Sequence, residues 1–197
     1  MRVIRQTSFA EAPWKNGGGR TREALRVPPG APDFLWRVSL ARIDASGPFS
    51  AFPGYLRKMV LLRGTGVRLS IDGARQAELR TVGDMAEFDG AASTQCELID
   101  GPCTDLNLMC ARSRCASSAW MTPVAEPQLL ACGPGQSALA FAINGSISIT
   151  GSDENRTTVP AWDLVVIANG EQALVCAAAD EPLAPLVFFA VLTCATH

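Results

Sequence analysis

Three stretches of the chain concentrate side chains able to hold a small polar molecule. The first is Pro13-Trp14-Lys15-Asn16-Gly17-Gly18-Gly19-Arg20-Thr21-Arg22-Glu23. Three consecutive glycines cost ordering entropy, but they let backbone come close to another group and aim N–H donors at it. Lys15, Arg20 and Arg22 add positive charge, and Asn16 adds an amide with both donors and an acceptor. The stretch reads as an anion-binding loop, and the competing reading is a surface linker. No Gly-Lys-Ser/Thr closes it and no strand–loop–helix frame surrounds it, so neither a Walker loop nor a dinucleotide fingerprint is present.

The second stretch runs from Gly47 to Lys58 and brings Phe49, Phe52 and Tyr55 beside Arg57 and Lys58. Phe49 and Phe52 would line an apolar pocket with Arg57 or Lys58 at its mouth, or else close one end of a barrel. The third is Leu98 to Met109. In an extended strand Asp105, Asn107 and Met109 share one face, and Leu106 and Leu108 the other. If the leucines meet the outer packing layer, Asp105 and Asn107 point inward, where a carboxylate and an amide need partners or a ligand. The same logic applies to Arg37 and Ser39, and an internal Arg37–Asp105 ion pair would satisfy it without any ligand.

The elements that must position these groups read as strands. From Phe34 to Ile43, Phe34, Trp36, Val38 and Leu40 fall on one face and Arg37, Ser39 and Ala41 on the other. Val67, Leu69 and Ile71 alternate up to Asp72-Gly73, a pair suited to a tight hairpin. The second half repeats this grammar: Leu139, Phe141 and Ile143 alternate up to Asn144-Gly145, and Ile147 and Ile149 follow. A strict two-residue turn there would put Phe141 and Ile147 on opposite faces, so either both faces are covered or the loop is longer. Gly73 and Asp84 match Gly151 and Asp163 at offsets of 78 and 79. Two such units predict an all-β, duplicated β-barrel or sandwich with few short helices. Residues 1–112 are expected to form a first half carrying the pocket, and 113–197 a linker and a second half, with the linking stretch near 111–136 marked by Pro123, Pro127 and Pro134.

Composition narrows the function. With 48% hydrophobic and 18% charged residues the chain is not disordered. Its net charge of −2 gives no field that would draw it to nucleic acid or anionic lipid. The only histidine is His197. Every mechanism that needs an internal imidazole, as metal ligand, general base or triad member, is thereby removed. The seven cysteines include no C-x-x-C pair, and they are expected to be structural thiols rather than a disulfide framework. No apolar N-terminal leader is legible, and the apolar run from Leu183 to Ala195 is broken by Pro185, so a cytoplasmic protein without membrane spans is expected.

Taken together, PWKNGGGRTRE (13–23), WRVSLARIDASGPFSAFPGYLRKMVLLRGTG (36–66) and the FDG…LIDGP–DLNLM run (88–109) resemble the HutD/Ves family of the cupin superfamily. The resemblance covers residues 3–112 well and the second half in strand grammar only. It implies a bicupin fold without a bound metal or other cofactor, since the two histidines and glutamate of metal-holding cupins have no histidine counterpart between Gly64 and Gly90. It also implies a link to histidine utilisation, with a small acidic intermediate such as a formylated glutamate bound so as to tune the pathway. Carried over by position, the candidate ligand-binding residues are Trp14, Lys15, Asn16, Gly17, Gly18, Arg37, Ser39, Phe49, Ser50, Arg57, Asp105 and Asn107.

The leading reading is therefore a non-enzymatic binding protein for a small carboxylate. Lys15, Arg37 or Arg57 would hold carboxylate oxygens. The amides of Gly17 and Gly18 would complete an anion nest, while Asn16, Ser39 and Asn107 read amide or formyl polarity. Trp14, Phe49 and Phe52 would exclude water. The alternative is a metal-independent enzyme acting on a small carboxylate with Lys15, Asp105 or Glu23 as acid and base. A homodimer is the oligomer expected for this fold class.

Overall fold

Alternating apolar and polar residues, punctuated by glycine, carry more than half of the chain into strands. The structure, a computed structural model, describes residues 1–195; His197 lies outside the described residues. Among the described residues the only helical turn is Gln6–Ser8, and no helix is long and apolar enough to cross a membrane. The chain divides into two units, Phe9–Arg114 and a second that combines Met1–Ser8 with the chain from Cys115 onward.

This division differs from the expected 1–112 and 113–197 boundaries at the N-terminus. Strand β1 (Arg2–Ile4) belongs to the second unit because it pairs antiparallel with a strand of that unit, Arg2 opposite Val166. The Asp163 carboxylate secures the same segment, accepting from the Gln6 amide at 2.8 Å and from Arg5 Nη1 at 2.8 Å.

In the first unit the strands are β2 (Ala10–Pro13), β3 (Gly19–Val27), β4 (Trp36–Ile43), β5 (Gly47–Pro48), β6 (Tyr55–Arg63), β7 (Val67–Ile71), β8 (Arg75–Leu79), β9 (Met85–Asp89), β10 (Thr94–Leu98) and β11 (Cys103–Ala111). They form a six-stranded sheet ordered β2-β3-β4-β11-β6-β9 and a four-stranded sheet ordered β5-β10-β7-β8. Asp72 and Gly73 both take positive φ, 51° and 70°, and turn β7 into β8, as Asp-Gly turns prefer. Ile43, Met59, Leu61, Leu69, Leu79 and Phe88 fill the apolar part of this unit's interior.

The second unit adds β12 (Cys115–Pro123), β13 (Gln128–Ala131), β14 (Gln136–Ala142), β15 (Ile147–Gly151), β16 (Arg156–Val159), β17 (Leu164–Ala168), β18 (Gln172–Ala177) and β19 (Leu186–Cys194). Its sheets are ordered β1-β17-β14-β19-β12 and β13-β18-β15-β16. Strands β12 to β19 repeat the order of β4 to β11, while β2 and β3 of the first unit and β1 of the second have no counterpart. The duplication read from the sequence is present, although Gly151 ends strand β15 and is not a counterpart of the Gly73 turn. The stretch expected as a linker is mostly strand, β12 and β13, with Pro123 at the end of β12 and Pro127 before β13. Asn144-Gly145 does not close a hairpin. Strand β14 pairs with β17 and β19, whereas β15 pairs with β16 and β18, so this turn moves the chain from one sheet to the other. Cys115 and Cys194 sit directly opposite each other on β12 and β19 and are joined as a disulfide. Cross-strand register brings the two together, a proximity that sequence spacing does not reveal. Cys96, Cys103, Cys110, Cys132 and Cys176 are not joined in disulfides.

Candidate functional site

The six-stranded sheet of the first unit turns the odd-numbered residues of β4 and β11 toward the interior. Register places Ser39 opposite Asn107, Arg37 opposite Met109 and Ala41 opposite Asp105. Strand β6 supplies Arg57, which lies opposite Met109 on the other flank of β11. Deeper along the same faces come Ile43, Met59, Leu61 and Cys103 of the apolar cluster. The interior is thus polar at one end and hydrocarbon at the other. Its polar end holds a cavity of about 470 Å³, large enough for a small metabolite.

Ten predicted residues line this cavity together: Trp14, Lys15, Asn16, Arg37, Ser39, Phe49, Ser50, Arg57, Asp105 and Asn107. Gly17 and Gly18 do not. The Gly17 N–H donates to the Trp14 carbonyl at 3.0 Å and the Gly18 N–H to Asn16 Oδ1 at 3.1 Å, so the expected glycine anion nest is corrected. Both donors are spent inside the turn. What the loop needs is the third glycine. A Cβ on Gly19 would stand 2.2 Å from the Arg42 carbonyl oxygen and 3.2 Å from the Trp14 ring. The close approach lets Trp14 lie over the start of β3, its indole N–H donating to Thr21 Oγ1 at 2.8 Å and its ring meeting Phe49 edge-on at 6.1 Å. The loop therefore carries Trp14, Lys15 and Asn16 to the rim.

Arg57 is buried, and its guanidinium is packed among the rings of Phe88, Phe49 and Phe52 at 4.9, 5.2 and 5.7 Å from their centroids. Arg37 stands likewise over Phe34 and Phe52, at 5.2 and 5.1 Å. Cation–π contacts of this kind hold the faces of a guanidinium while leaving its N–H edge for hydrogen bonds. Arg57 Nη2 donates to Asn107 Oδ1 at 3.0 Å, and Asn107 Nδ2 donates to Asp105 Oδ1. Arg37 does not form the ion pair with Asp105 that the sequence allowed. It turns to Glu23, 4.0 Å away, and Arg37 Nη2 lies 3.3 Å from Met109 Sδ. Among the described residues, three buried side-chain nitrogen or oxygen atoms have no hydrogen-bond partner: Arg37 Nε, Arg57 Nε and Asp105 Oδ2. Such atoms are costly unless something joins them.

The electrostatics follow from burial. Desolvation lowers the pKa of Arg57 to about 10, against the raising effect of Asp105, so the guanidinium remains charged at neutral pH. Desolvation also lowers Arg37, which Glu23 partly offsets. The Asp105 carboxyl is pushed up to about 7 by burial, although Arg57 and the Asn107 amide both favour its ionised form.

Sequence reasoning missed Arg26, and it named Glu23 only as a catalytic alternative. The pair is joined by Arg26 Nη2 at 2.6 Å and Nε at 3.1 Å from the Glu23 carboxylate, and both residues line the cavity. Positions 23 and 26 differ in parity, so a strict two-residue period puts them on opposite faces. A bulge between Glu23 and Leu25 shifts the register, leaving Glu23 opposite Ser39 and Arg26 opposite Arg37. Bulges re-aim side chains in this way and cluster near binding sites.

Comparison with known proteins matches residues 6–184 to the HutD family model. An uncharacterized 21.2 kDa protein in the hutC 3' region of Pseudomonas putida is 39% identical over 115 residues, 58% of this chain and 60% of that protein; the match thus spans less than two thirds of that relative. Protein Ves of Citrobacter koseri is 35% identical over 134 residues, 68% of each chain. Among solved structures, a conserved protein of unknown function from Pseudomonas aeruginosa PAO1 superposes with a TM-score of 0.84 at 31% identity over 98% of both chains. HutD from Pseudomonas fluorescens SBW25, solved in a formate condition, superposes at 0.82 with 27% identity over 99% of both. An oxalate decarboxylase from Lactobacillus farciminis superposes at 0.70 with 10% identity, covering 99% of this chain and 86% of that one, which shows a cupin-type bicupin fold. The lining does not fit a divalent metal. Its arginines offer only donors, the Glu23 carboxylate is held by Arg26, and Asp105 Oδ1 accepts from Asn107, which leaves a single carboxylate oxygen beside cationic groups.

Proposed function

The chain belongs to the HutD family, and from that premise we propose that it is a non-enzymatic binding protein that captures a small acidic metabolite in the cavity of its first unit. Family membership sets it in the context of histidine utilisation, where a formylglutamate-like acid is the first ligand to test and pathway tuning the role such capture would serve. One observation carries the reading: two charged guanidinium groups, Arg57 buried and Arg37 partly buried, line one cavity, each with a buried Nε that has no partner among the described residues. A carboxylate is the ligand group that matches a guanidinium edge. The aromatic rings around them exclude water, which strengthens each contact.

A charge-assisted hydrogen bond contributes about 1.5–3 kcal/mol net. Two or three of them in a preformed cavity support affinity on the order of micromolar. Titration calorimetry with formylglutamate, glutarate and formate is expected to show a dissociation constant near that value for at least one acid. Binding no tighter than millimolar for all of them would remove the reading.

The Asp105 carboxyl, displaced to about 7, favours a second reading, a metal-independent acid–base enzyme, because proton-transfer groups work best near the operating pH. Chromatography of each acid after incubation with the protein separates the two. Recovery of the acid unchanged is expected, and turnover that disappears in Asp105→Asn with binding retained would favour the enzyme.

A further inference from the structure

Accepting the capture reading, we infer that Asp105 is the specificity-determining residue of the cavity: its Oδ2 accepts a hydrogen bond from a neutral N–H or O–H donor on the bound acid, at the end of the ligand remote from the carboxylate that the arginines hold. The direction of the hydrogen-bond chain leads there. Arginine has donors only, so Arg57 fixes Asn107 with its carbonyl oxygen toward Nη2 and its NH₂ toward Asp105. Asp105 Oδ1 is thereby an acceptor already in use. At its far end this hydrogen-bond chain leaves an unfilled acceptor, Asp105 Oδ2, buried and without a partner among the described residues.

The lining around that oxygen divides in two. Arg26, Arg37 and Arg57 gather cationic charge. Beside them lie Ser39 and Asn107, opposite each other on β4 and β11, and Asp105, opposite Ala41. Carboxylates of the ligand belong with the guanidinium groups. A carboxylate pushed against ionised Asp105 would meet like charge, and an ammonium would enter among three arginines. A neutral donor avoids both penalties and completes Oδ2. An acid bearing an amide N–H or a hydroxyl is the chemical class that fits. The charged and titratable groups on the surrounding elements are Glu23 and Arg26 of β3, Arg37 of β4, Arg57 of β6, Cys96 of β10, Cys103 of β11 and Lys15 on the rim loop. Of these, Arg57 holds the Asp105 pKa down, while Asp105 helps to push that of Cys96 up to about 12, behind burial.

The test uses the full chain and two dianions of equal charge and shape, N-formylglutamate and the ester in which oxygen replaces its N–H. The amide is expected to bind about tenfold or more tighter than the ester. Because the carboxyl sits at about 7 and Asn107 occupies Oδ1, leaving Oδ2 to carry the proton, a donor placed on Oδ2 displaces it, and amide binding at pH 7 should release roughly half a proton, read by calorimetry in buffers of different ionisation enthalpy. Asp105→Asn is expected to lose the amide preference while still binding the ester. Equal affinity for amide and ester, or proton uptake on binding, would overturn this assignment and leave anion capture standing. Failure of both dianions to bind would overturn capture and assignment together. The wild-type comparison and the proton count stand even if the variant does not fold.

Discussion

The two units share a strand order and differ in what fills them. In the first, the cross-strand pair on β4 and β11 that faces the interior is Ser39 and Asn107. At the matching place on β12 and β19 the second unit has buried Phe189, with exposed Trp120 stacked on it at a centroid distance of 5.6 Å. Arg57 of β6 corresponds to Ala138 of β14, and Asp105 to Val187; Ala138, Val187 and Phe189 all belong to one closed apolar cluster. Hydrocarbon therefore closes the interior of the second unit. The first keeps a polar end with three orphaned atoms. Burial of unpaired polar groups is destabilising, and under the capture reading proposed above the copy that carries them is the one that takes the ligand.

The largest effect is expected from exchanging the two interiors. Phe189→Asn puts an unpaired amide and a void into a closed cluster and should cost roughly 3–5 kcal/mol. The reverse exchange, R57M/D105V/N107F, replaces a buried polar network by hydrocarbon and should be neutral or stabilising by roughly 1–4 kcal/mol while binding no acid. Thermal unfolding and calorimetry of both variants check this. If the reverse exchange unfolds the protein, the polar chain is structural and the contrast between the units loses its functional meaning.

Next in size is a pH effect confined to the first unit. An unfolded aspartic acid titrates near 4, whereas buried Asp105 titrates at about 7. Between these values the native state holds a proton that the unfolded chain has lost. Its stability should therefore fall as pH rises from about 4 to 7 and level off above, by on the order of 2–4 kcal/mol from this group. Asp105→Asn should remove that dependence and stabilise the unliganded protein at pH 8 while changing little at pH 4. An unchanged slope in denaturant titrations across this range would show that Asp105 is not the group held protonated.

Arg57→Ala follows. It removes a guanidinium from the cavity and leaves Asn107 Oδ1 without its donor. Affinity for the acid should fall about 30- to 100-fold. Arg57→Lys keeps the charge but not the planar fork between the rings, and should lose about tenfold. Equal losses in the two variants would mean that the fork geometry is what binds.

Much of this contrast was legible before the structure. Alternation alone put Arg37 and Ser39 on one face of β4, and Asp105 and Asn107 on one face of β11, because side chains in a strand alternate without exception until a bulge intervenes. Arg26 escaped for that reason: the bulge at Glu23 to Leu25 breaks the period. Pairing between distant strands was not legible either. Nothing in the spacing of Cys115 and Cys194 reveals that β12 and β19 set them opposite each other, nor does the sequence of Arg2–Ile4 reveal its pairing with β17. The glycine run was recognised as unusual, but the reason was misjudged, since a sequence shows that backbone can come close without showing what it comes close to.

That misjudgement yields the smallest and sharpest prediction. Gly17 has φ of +72° with open space at its Cβ position, so Gly17→Ala should cost about 1 kcal/mol from backbone strain alone. Affinity for the acid should stay within about twofold, because the Gly17 N–H already donates to the Trp14 carbonyl. Gly19→Ala should behave differently. The new methyl group collides with the Arg42 carbonyl, the loop lifts, and Trp14 moves away from Thr21 and Phe49 with Lys15 and Asn16. Its stability and its affinity should fall together. If calorimetry finds that Gly17→Ala alone weakens binding tenfold, the turn opens to present its amides to the ligand, and the rim is part of the anion site after all.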